Sequence, residues 1–241
     1  MTETLPFHPT LRSEYDPAVL DHAQRRQRAQ RLHAALCDAG LWQADAHVLD
    51  VGCGSGLLLS ALGHDVRQRI GCDLRRELYV QVKSRVDDVL FAQADGMHLP
   101  FPDRSFHCVI CMAAVGEFPD WRAALSEMAR CVMPGGVLYV TLSNSRVLLP
   151  LFRLLECLGH KVARSQWAYA RASMRLVTER PAAGCGVSAL AGWRYVHLTP
   201  YLVRSQWPWL HSVPLPVLDW LMRRLAPSFG HVWQRQESND L

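Results

Sequence analysis

The chain has 241 residues, of which 49% are hydrophobic and 20% are charged, as in ordinary globular proteins. This composition excludes a wholly disordered chain, because disorder requires low hydrophobicity and high net charge, and the length is ample for a full hydrophobic core. The formal net charge is +4, and no dense basic block with interleaved aromatic residues occurs, so a nucleic-acid partner is not expected.

The first residues lack a basic segment followed by an apolar run, and the chain contains no apolar run of about 18 residues. We therefore expect neither a signal peptide nor a membrane-spanning helix. Most of the 8 cysteines lie singly within apolar segments, as is typical of a reducing cytoplasm. Cys108 and Cys111 form a C-x-x-C pair, but no second pair follows at zinc spacing, so they predict a buried strand and no metal site.

In chain order, residues 17–38 predict an amphipathic helix that ends near Gly40. Short apolar runs then predict five strands, at residues 47–51, 70–74, 89–93, 106–112 and 136–142. Helical patterns follow the first two strands, and a helix at residues 120–132 precedes the fifth and is closed by a Pro-Gly-Gly turn at 134–136. Strands and helices that alternate at this spacing predict an α/β fold with a parallel sheet.

The second half of the chain has a different character. Residues 143–160 are strongly apolar with basic residues around them, 170–180 predict a polar helix, and 199–225 are rich in tryptophan and proline. Residues 187–198 and 229–236 predict a sixth and a last strand. We interpret the chain as one domain, 1–241, with a helical cap at 1–44, a core at 45–142, a helical lid with later strands at 143–225 and a last strand and tail at 226–241.

A glycine loop follows the first predicted strand, with Asp50 near the strand end and Gly52, Gly54 and Gly56 before a helix. Glycine permits tight turns and close approach to a ligand, and we expect the loop to direct its N–H groups into a cleft at the carboxyl ends of the strands.

Acidic residues also follow the next two predicted strands, Asp73 after the second and Asp95 after the third. Asp73 can accept hydrogen bonds from ribose hydroxyls, and Asp95 can accept one from an adenine amine. Three carboxylates at one edge would repel a pyrophosphate, so the pattern favours a cationic nucleoside that carries an amino acid.

These segments, VLDVGCGSG, GCDL, AQADGMHLPFPDRSFHCVI and EMARCVMPGGVLYVTL, together resemble class I S-adenosylmethionine-dependent methyltransferases, in particular the branch that acts on quinones and small molecules. The resemblance spans roughly residues 45–142 and implies a Rossmann-like, seven-stranded, mostly parallel sheet with helices on both faces and a reversed final strand. It implies S-adenosylmethionine as the cofactor. By residue, it assigns the methionine part to Asp50, Gly52, Cys53, Gly54 and Gly56, the ribose to Asp73 with its neighbour Leu74, and the adenine to Asp95, Gly96 and Met97.

The resemblance does not identify a catalytic base. Many relatives carry a Glu-His pair after the fourth strand, whereas Glu117 stands here where the histidine would be, as a helix cap or a substrate-facing acid. His98, His160, His197 and Tyr169 are the other candidates.

The predicted function is methyl transfer to a small, apolar or aromatic acceptor such as a lipid, a quinone or a secondary metabolite. The aromatic residues of the lid either pack on the sheet or line an acceptor pocket, and the apolar segments in 143–225 also allow contact with the inner face of a membrane. The alternatives are a protein or RNA methyltransferase, a non-catalytic cofactor-binding scaffold and, least favoured, a nicotinamide dehydrogenase. An Asn-Pro-Pro-Tyr-type loop, which marks amide or base-amine acceptors, is missing after the fourth strand.

Overall fold

The computed structural model describes residues 22–62, 66–112, 114–143, 150–159 apart from 152 and 155, 192–197, 216–217 and 228–236. The helices are α1 (His22–Asp38), α2 (Leu57–Ala61), α3 (Leu78–Lys83) and α4 (Trp121–Cys131), with a 3₁₀ turn at Val115–Glu117. The strands are β1 (Ala46–Val51), β2 (Val66–Asp73), β3 (Val89–Gln93), β4 (Phe106–Cys111), β5 (Val132–Ser143), β6 (Trp193–His197) and β7 (Ser228–Arg235).

The seven strands form one sheet in the order β3-β2-β1-β4-β5-β7-β6. The pairs from β3 through to β5 are parallel, whereas β7 lies antiparallel to both of its neighbours. The predicted seven-stranded, mostly parallel sheet with a reversed final strand is therefore confirmed. Within the described residues, no helix is long and apolar enough to cross a membrane.

Helices cover both faces of the sheet, because the parallel strands present apolar side chains on each side. On one face, Leu32 and Leu36 of α1, Leu59 of α2 and Val82 of α3 join one buried cluster. On the other face, Met128 of α4 belongs to a second buried cluster with its neighbours on that helix. The helix predicted at the N-terminal side ends as expected, with Gly40 at a φ of 66°.

Strand β2 begins four residues earlier than predicted. The polar run Arg67-Gln68-Arg69 hides the strand in the sequence, but Arg69 is buried and donates a hydrogen bond to Asp88 at 2.7 Å. This ion pair joins residues 19 positions apart and neutralises the charge of Arg69, which allows this side chain to be buried within a strand.

Strand β5 also starts earlier than predicted, because it follows α4 without a break and includes the Pro-Gly-Gly residues. Its pairing moves from Phe106–Val132 to Cys108–Val137, so residues 133–136 form an irregularity opposite His107. A side chain at Gly136 would lie 2.8 Å from the His107 carbonyl oxygen, which explains why glycine is required there. The predicted turn is thus a bulge within the strand.

Arg130 ties the segment after β3 to α4. Its guanidinium donates hydrogen bonds to Glu127, to Asp103 and to the carbonyl oxygens of Leu99 and Phe101, all within 3.0 Å. These bonds raise the pKa of Arg130 and lower that of Glu127. Asp103 therefore has a structural role, as an ion-pair partner of Arg130.

The other predicted elements that fall on described residues match within a few residues, except that α3 is shorter than the helical pattern that follows β2 in the sequence. Strand β6 lies within the run predicted at 187–198, of which residues 187–191 and 198 lie outside the described residues. Residues 150–157 are helical where described, within the apolar 143–160 segment. The polar helix predicted at 170–180 and most of the tryptophan-rich 199–225 segment lie outside the described residues.

Candidate functional site

The glycine loop connects β1 to α2 through three residues in the left-handed region, with φ of 75° at Gly52, 54° at Gly54 and 75° at Gly56. Side chains rarely adopt this conformation, so glycine fits each position. At Gly52 a Cβ atom would in addition lie 2.5 Å from the Cβ atom of Ala114. The loop therefore packs directly on the segment that follows β4.

Four N–H groups of this loop bond within the protein, whereas they were expected to point into the cleft. Those of Gly52 and Cys53 donate to the Cys72 carbonyl oxygen, and that of Gly56 donates to the Cys53 carbonyl oxygen. The Gly54 N–H donates to Oδ2 of Asp73 at 3.0 Å. The loop is thus fixed to the end of β2, and what it offers a ligand is a close backbone surface.

Asp73 is buried at the end of β2 and is held by two neighbours. Besides the bond from Gly54, its Oδ1 accepts hydrogen bonds from the N–H of Arg75 at 3.0 Å and from Nε of Arg75 at 3.3 Å. A carboxylate has about four acceptor positions, so these three bonds leave about one for a ligand. For Asp73 to receive both hydroxyls of a ribose, the Arg75 side chain has to release Oδ1.

Asp50 is 3% exposed within β1, and its partner on β2 is Gly71, two residues before Asp73. Burial, together with the charge of Asp73, raises the pKa of Asp50 to about 8. Two buried carboxyl groups favour a cationic ligand, because a positive charge beside them offsets their mutual repulsion and the cost of removing the carboxylates from water.

Asp95, Gly96 and Met97 form a tight turn after β3. Oδ1 of Asp95 accepts the Met97 N–H at 2.9 Å, so this N–H is engaged within the turn. Gly96 is buried, and a Cβ atom there would lie 2.5 Å from the ring of Phe118. Phe118 therefore covers the backbone of the turn that is expected to hold an adenine.

Cys53 and Leu74 complete the set of predicted cofactor residues. Cys53 is buried against Gly71 of β2, where a Cβ atom would lie 2.9 Å from its sulfur. Burial raises the pKa of the Cys53 thiol, so it packs as a neutral group. Leu74 is half-buried beside Asp73, and its carbonyl oxygen accepts a hydrogen bond from Gln93 of β3.

The structure separates the candidates for a catalytic base. His98 is exposed and lies 4.0 Å from Asp95, whereas His197 ends β6, four strand spacings or about 19 Å from β1. Glu117 ends the 3₁₀ turn before α4, and the N-cap of α4 is Asp120, whose side chain accepts the N–H groups of Arg122 and Ala123. His160 and Tyr169 lie outside the described residues.

Three residues at this edge were not predicted from the sequence: Ser55, Arg75 and Phe118. The hydroxyl of Ser55 is buried in the glycine loop and has no hydrogen-bond partner among the described residues. The glycine at position 96 could have indicated a covering side chain such as Phe118, but no sequence signal marks Ser55. Among the described residues no group of three or more His, Cys, Asp or Glu side chains could hold a metal ion.

Comparison with known proteins places this geometry in context. A family model described as a methyltransferase domain matches residues 49–140. The chain is 32% identical over 142 residues to YcgJ, an uncharacterised methyltransferase of Bacillus subtilis, a match that covers 56% of this chain and 53% of that protein. It is 33% identical over 125 residues to a demethylmenaquinone methyltransferase of Staphylococcus epidermidis, covering 49% of this chain and 52% of the relative. The chain thus spans about half the length of these relatives.

Solved structures show the same fold. The plantazolicin methyltransferase BpumL, in complex with a pentazolic desmethylPZN analog and SAH, superposes with a TM-score of 0.62 at 11% identity, over 93% of this chain and 89% of that one. A possible histamine N-methyltransferase of Thermotoga maritima superposes with a TM-score of 0.52 at 14% identity, over 89% and 95%. Residues 49–140 thus match the model of a methyltransferase domain, and the seven-stranded sheet has the fold of these methyltransferase structures.

Proposed function

We propose that this protein transfers the methyl group of S-adenosylmethionine to a small, apolar or aromatic acceptor such as a lipid, a quinone or a secondary metabolite. One observation carries the proposal: the acids Asp50, Asp73 and Asp95 lie at or just after the carboxyl ends of three adjacent strands, β1, β2 and β3. Ligands of open α/β sheets bind at this edge, and carboxylates there suit a cation with hydroxyl and amine donors.

The residues present fit the cofactor. Asp50 and the loop from Gly52 to Gly56 would hold the methionine part, and the buried Ser55 hydroxyl would gain a polar partner there. Asp73 with Leu74 would hold the ribose once Arg75 releases Oδ1. When bound, S-adenosylmethionine supplies an activated methyl group on a sulfonium, so the protein has to provide alignment and exclusion of water more than chemistry of its own.

The turn at Asp95–Met97 would hold the adenine, with Phe118 packed on the far side of Gly96. This turn is held by hydrogen bonds within the protein, because the Asp95 carboxylate accepts the Met97 N–H and the Met97 sulfur accepts the Asp120 N–H at 3.4 Å. A turn that is held in place lowers the entropy cost of positioning the nucleoside.

The names of relatives and the apolar runs after β5 support the acceptor class. Relatives at about 33% identity are named demethylmenaquinone methyltransferases, and a demethylmenaquinone is an apolar quinone. The elements after β5, which contain long apolar runs, would cover the acceptor. Apolar lining is the usual character of small-ligand sites.

Two experiments test the proposal. Isothermal titration calorimetry should detect binding of S-adenosylmethionine and none of NAD; binding of NAD alone would refute it. Incubation of the protein with labelled S-adenosylmethionine and fractionated host extract, followed by mass spectrometry, should place the label in an organic-phase small molecule. Label found in protein or RNA fractions instead would overturn the acceptor class.

A further inference from the structure

Three exposed leucines lie on the helix at residues 150–157 and in the turn that ends it, in the part of the chain that follows β5. The side chains of Leu151, Leu154 and Leu158 are 41%, 56% and 65% exposed. The last turn is well formed, since the Leu158 N–H donates to the Leu154 carbonyl oxygen at 3.0 Å and Gly159 follows with a φ of 83°. Spacings of three and four residues place the three leucines on one face of a helix. We call Leu151, Leu154 and Leu158 the leucine face.

Exposure of this kind is unusual in the described part of the chain. Seven large hydrophobic side chains are exposed there, and three of the seven belong to the leucine face. Large apolar side chains that cluster on one exposed face mark an interaction surface, whereas single exposed ones need no explanation.

The sequence that carries the leucine face is basic, which favours an anionic surface as its partner. Four basic residues, Arg146, Arg153, Lys161 and Arg164, lie within the stretch from 146 to 164, against the single acid Glu156. This stretch therefore contributes a net +3 of the formal +4 of the whole chain. Short amphipathic helices with leucines on one face and basic residues around them bind anionic lipid surfaces through both apolar burial and electrostatic attraction.

We propose that the leucine face and its basic flanks bind the protein peripherally to an anionic lipid bilayer. The inference rests on the proposed function in one respect: binding to the bilayer serves the reaction because the acceptor is dissolved there. A bilayer-bound enzyme would meet a lipophilic acceptor at the surface where that acceptor is concentrated. The three leucines would enter the boundary between headgroups and acyl chains, and Arg153 would remain at headgroup level.

The test is cosedimentation of the full chain with vesicles of phosphatidylcholine containing about a third phosphatidylglycerol, at about 0.05 M salt and again at about 0.5 M. The variant Leu154→Glu with Leu158→Glu should bind at least about tenfold more weakly, because burial of one leucine alone strengthens partitioning into the bilayer about tenfold. The matched control is Val80→Glu with Leu90→Glu, which adds the same charge at apolar side chains that are 71% and 51% exposed outside the leucine face.

Support for the proposal requires that the unaltered protein bind these vesicles at low salt, that salt weaken the binding, and that the control variant retain it. The proposal is overturned by absence of binding at low salt, or by equal loss in both double variants. It is equally overturned if the Leu154 and Leu158 variant, unlike the control, has a lower melting temperature, since another part of the chain would then cover the leucine face. A lower mass of this variant in light scattering would overturn it too, because a second copy would then cover the leucine face. Calorimetry with S-adenosylmethionine on every variant separates the two proposals, because the leucine face is not part of the cofactor residues.

Discussion

The buried carboxyl group of Asp50 should make the stability of the protein depend on pH. Its pKa is raised from an ordinary value of 3.8 to about 8, so between these values the native state holds a proton that the unfolded chain has lost. The contribution of Asp50 to stability is therefore fully present below pH 3.8 and is lost as the pH rises through 8. Each pH unit in this window costs about 1.4 kcal/mol of unfolding free energy, or about 3 kcal/mol between pH 5 and pH 7.

The substitution Asp50→Asn removes the titration and should flatten this dependence. We expect the difference in unfolding free energy between the unaltered protein and the variant to shift by about 3 kcal/mol between pH 5 and pH 7, with the unaltered protein losing stability as the pH rises. Urea unfolding followed by circular dichroism at each pH measures it. Asp45→Asn is the control, since Asp45 is exposed and has a φ of 56°, which asparagine tolerates. Parallel pH curves for Asp50→Asn and the unaltered protein would refute the reasoning.

Three further predictions concern the cofactor edge. Binding of S-adenosylmethionine at pH 7 should release a proton from Asp50, seen as a binding enthalpy that varies with the ionisation enthalpy of the buffer, and Asp50→Asn should abolish the variation. Asp73→Ala should weaken binding by about 1–3 kcal/mol in calorimetry, whereas Asp87→Ala, on an exposed turn, should leave it unchanged; equal affinity in both variants would remove the ribose assignment. Gly52→Ala should lower the unfolding free energy by about 1–3 kcal/mol more than Gly40→Ala does, as measured by thermal unfolding. Both residues have a positive φ, but of the two only Gly52 would bring a Cβ atom into contact, 2.5 Å from the Cβ atom of Ala114. Equal losses would show that backbone strain explains the whole effect.

The sequence predicts the strands of this fold where apolar runs are short and bounded, and β3 at Val89–Gln93 matches residue for residue. It does not predict the first half of β2, because the partner that neutralises Arg69 is contributed by Asp88, beyond the next helix. Patterns within one segment cannot contain a charge pair that forms between segments. For the same reason the sequence does not predict the start of β5 at Val132, since the bulge near Pro134 and Gly135 depends on the backbone of β4.

At the candidate site the sequence predicts the loop and the acids but not their hydrogen bonds. Three glycines indicate a backbone that must turn, and the structure has each of them at a positive φ. The destination of the loop N–H groups depends on Cys72 and Asp73, which belong to a different strand, so the expectation that these groups face a ligand is not met. Ser55 and Arg75 are likewise recognised from the three-dimensional arrangement alone.

The position of β7 has a consequence for how the protein is made. Strand β6 pairs with β7 and β7 pairs with β5, so the last of these seven strands in chain order lies between two strands that precede it in the sequence. Until Ser228–Arg235 leave the ribosome, β5 and β6 both lack β7, the strand with which each of them pairs in the folded sheet. The cofactor half, from β1 to β5, can form its parallel sheet during synthesis, whereas closure of the far edge waits for the final strand. Nascent chains therefore pass through a stage with one unpaired, apolar strand edge, the kind of surface on which aggregation begins and chaperones act.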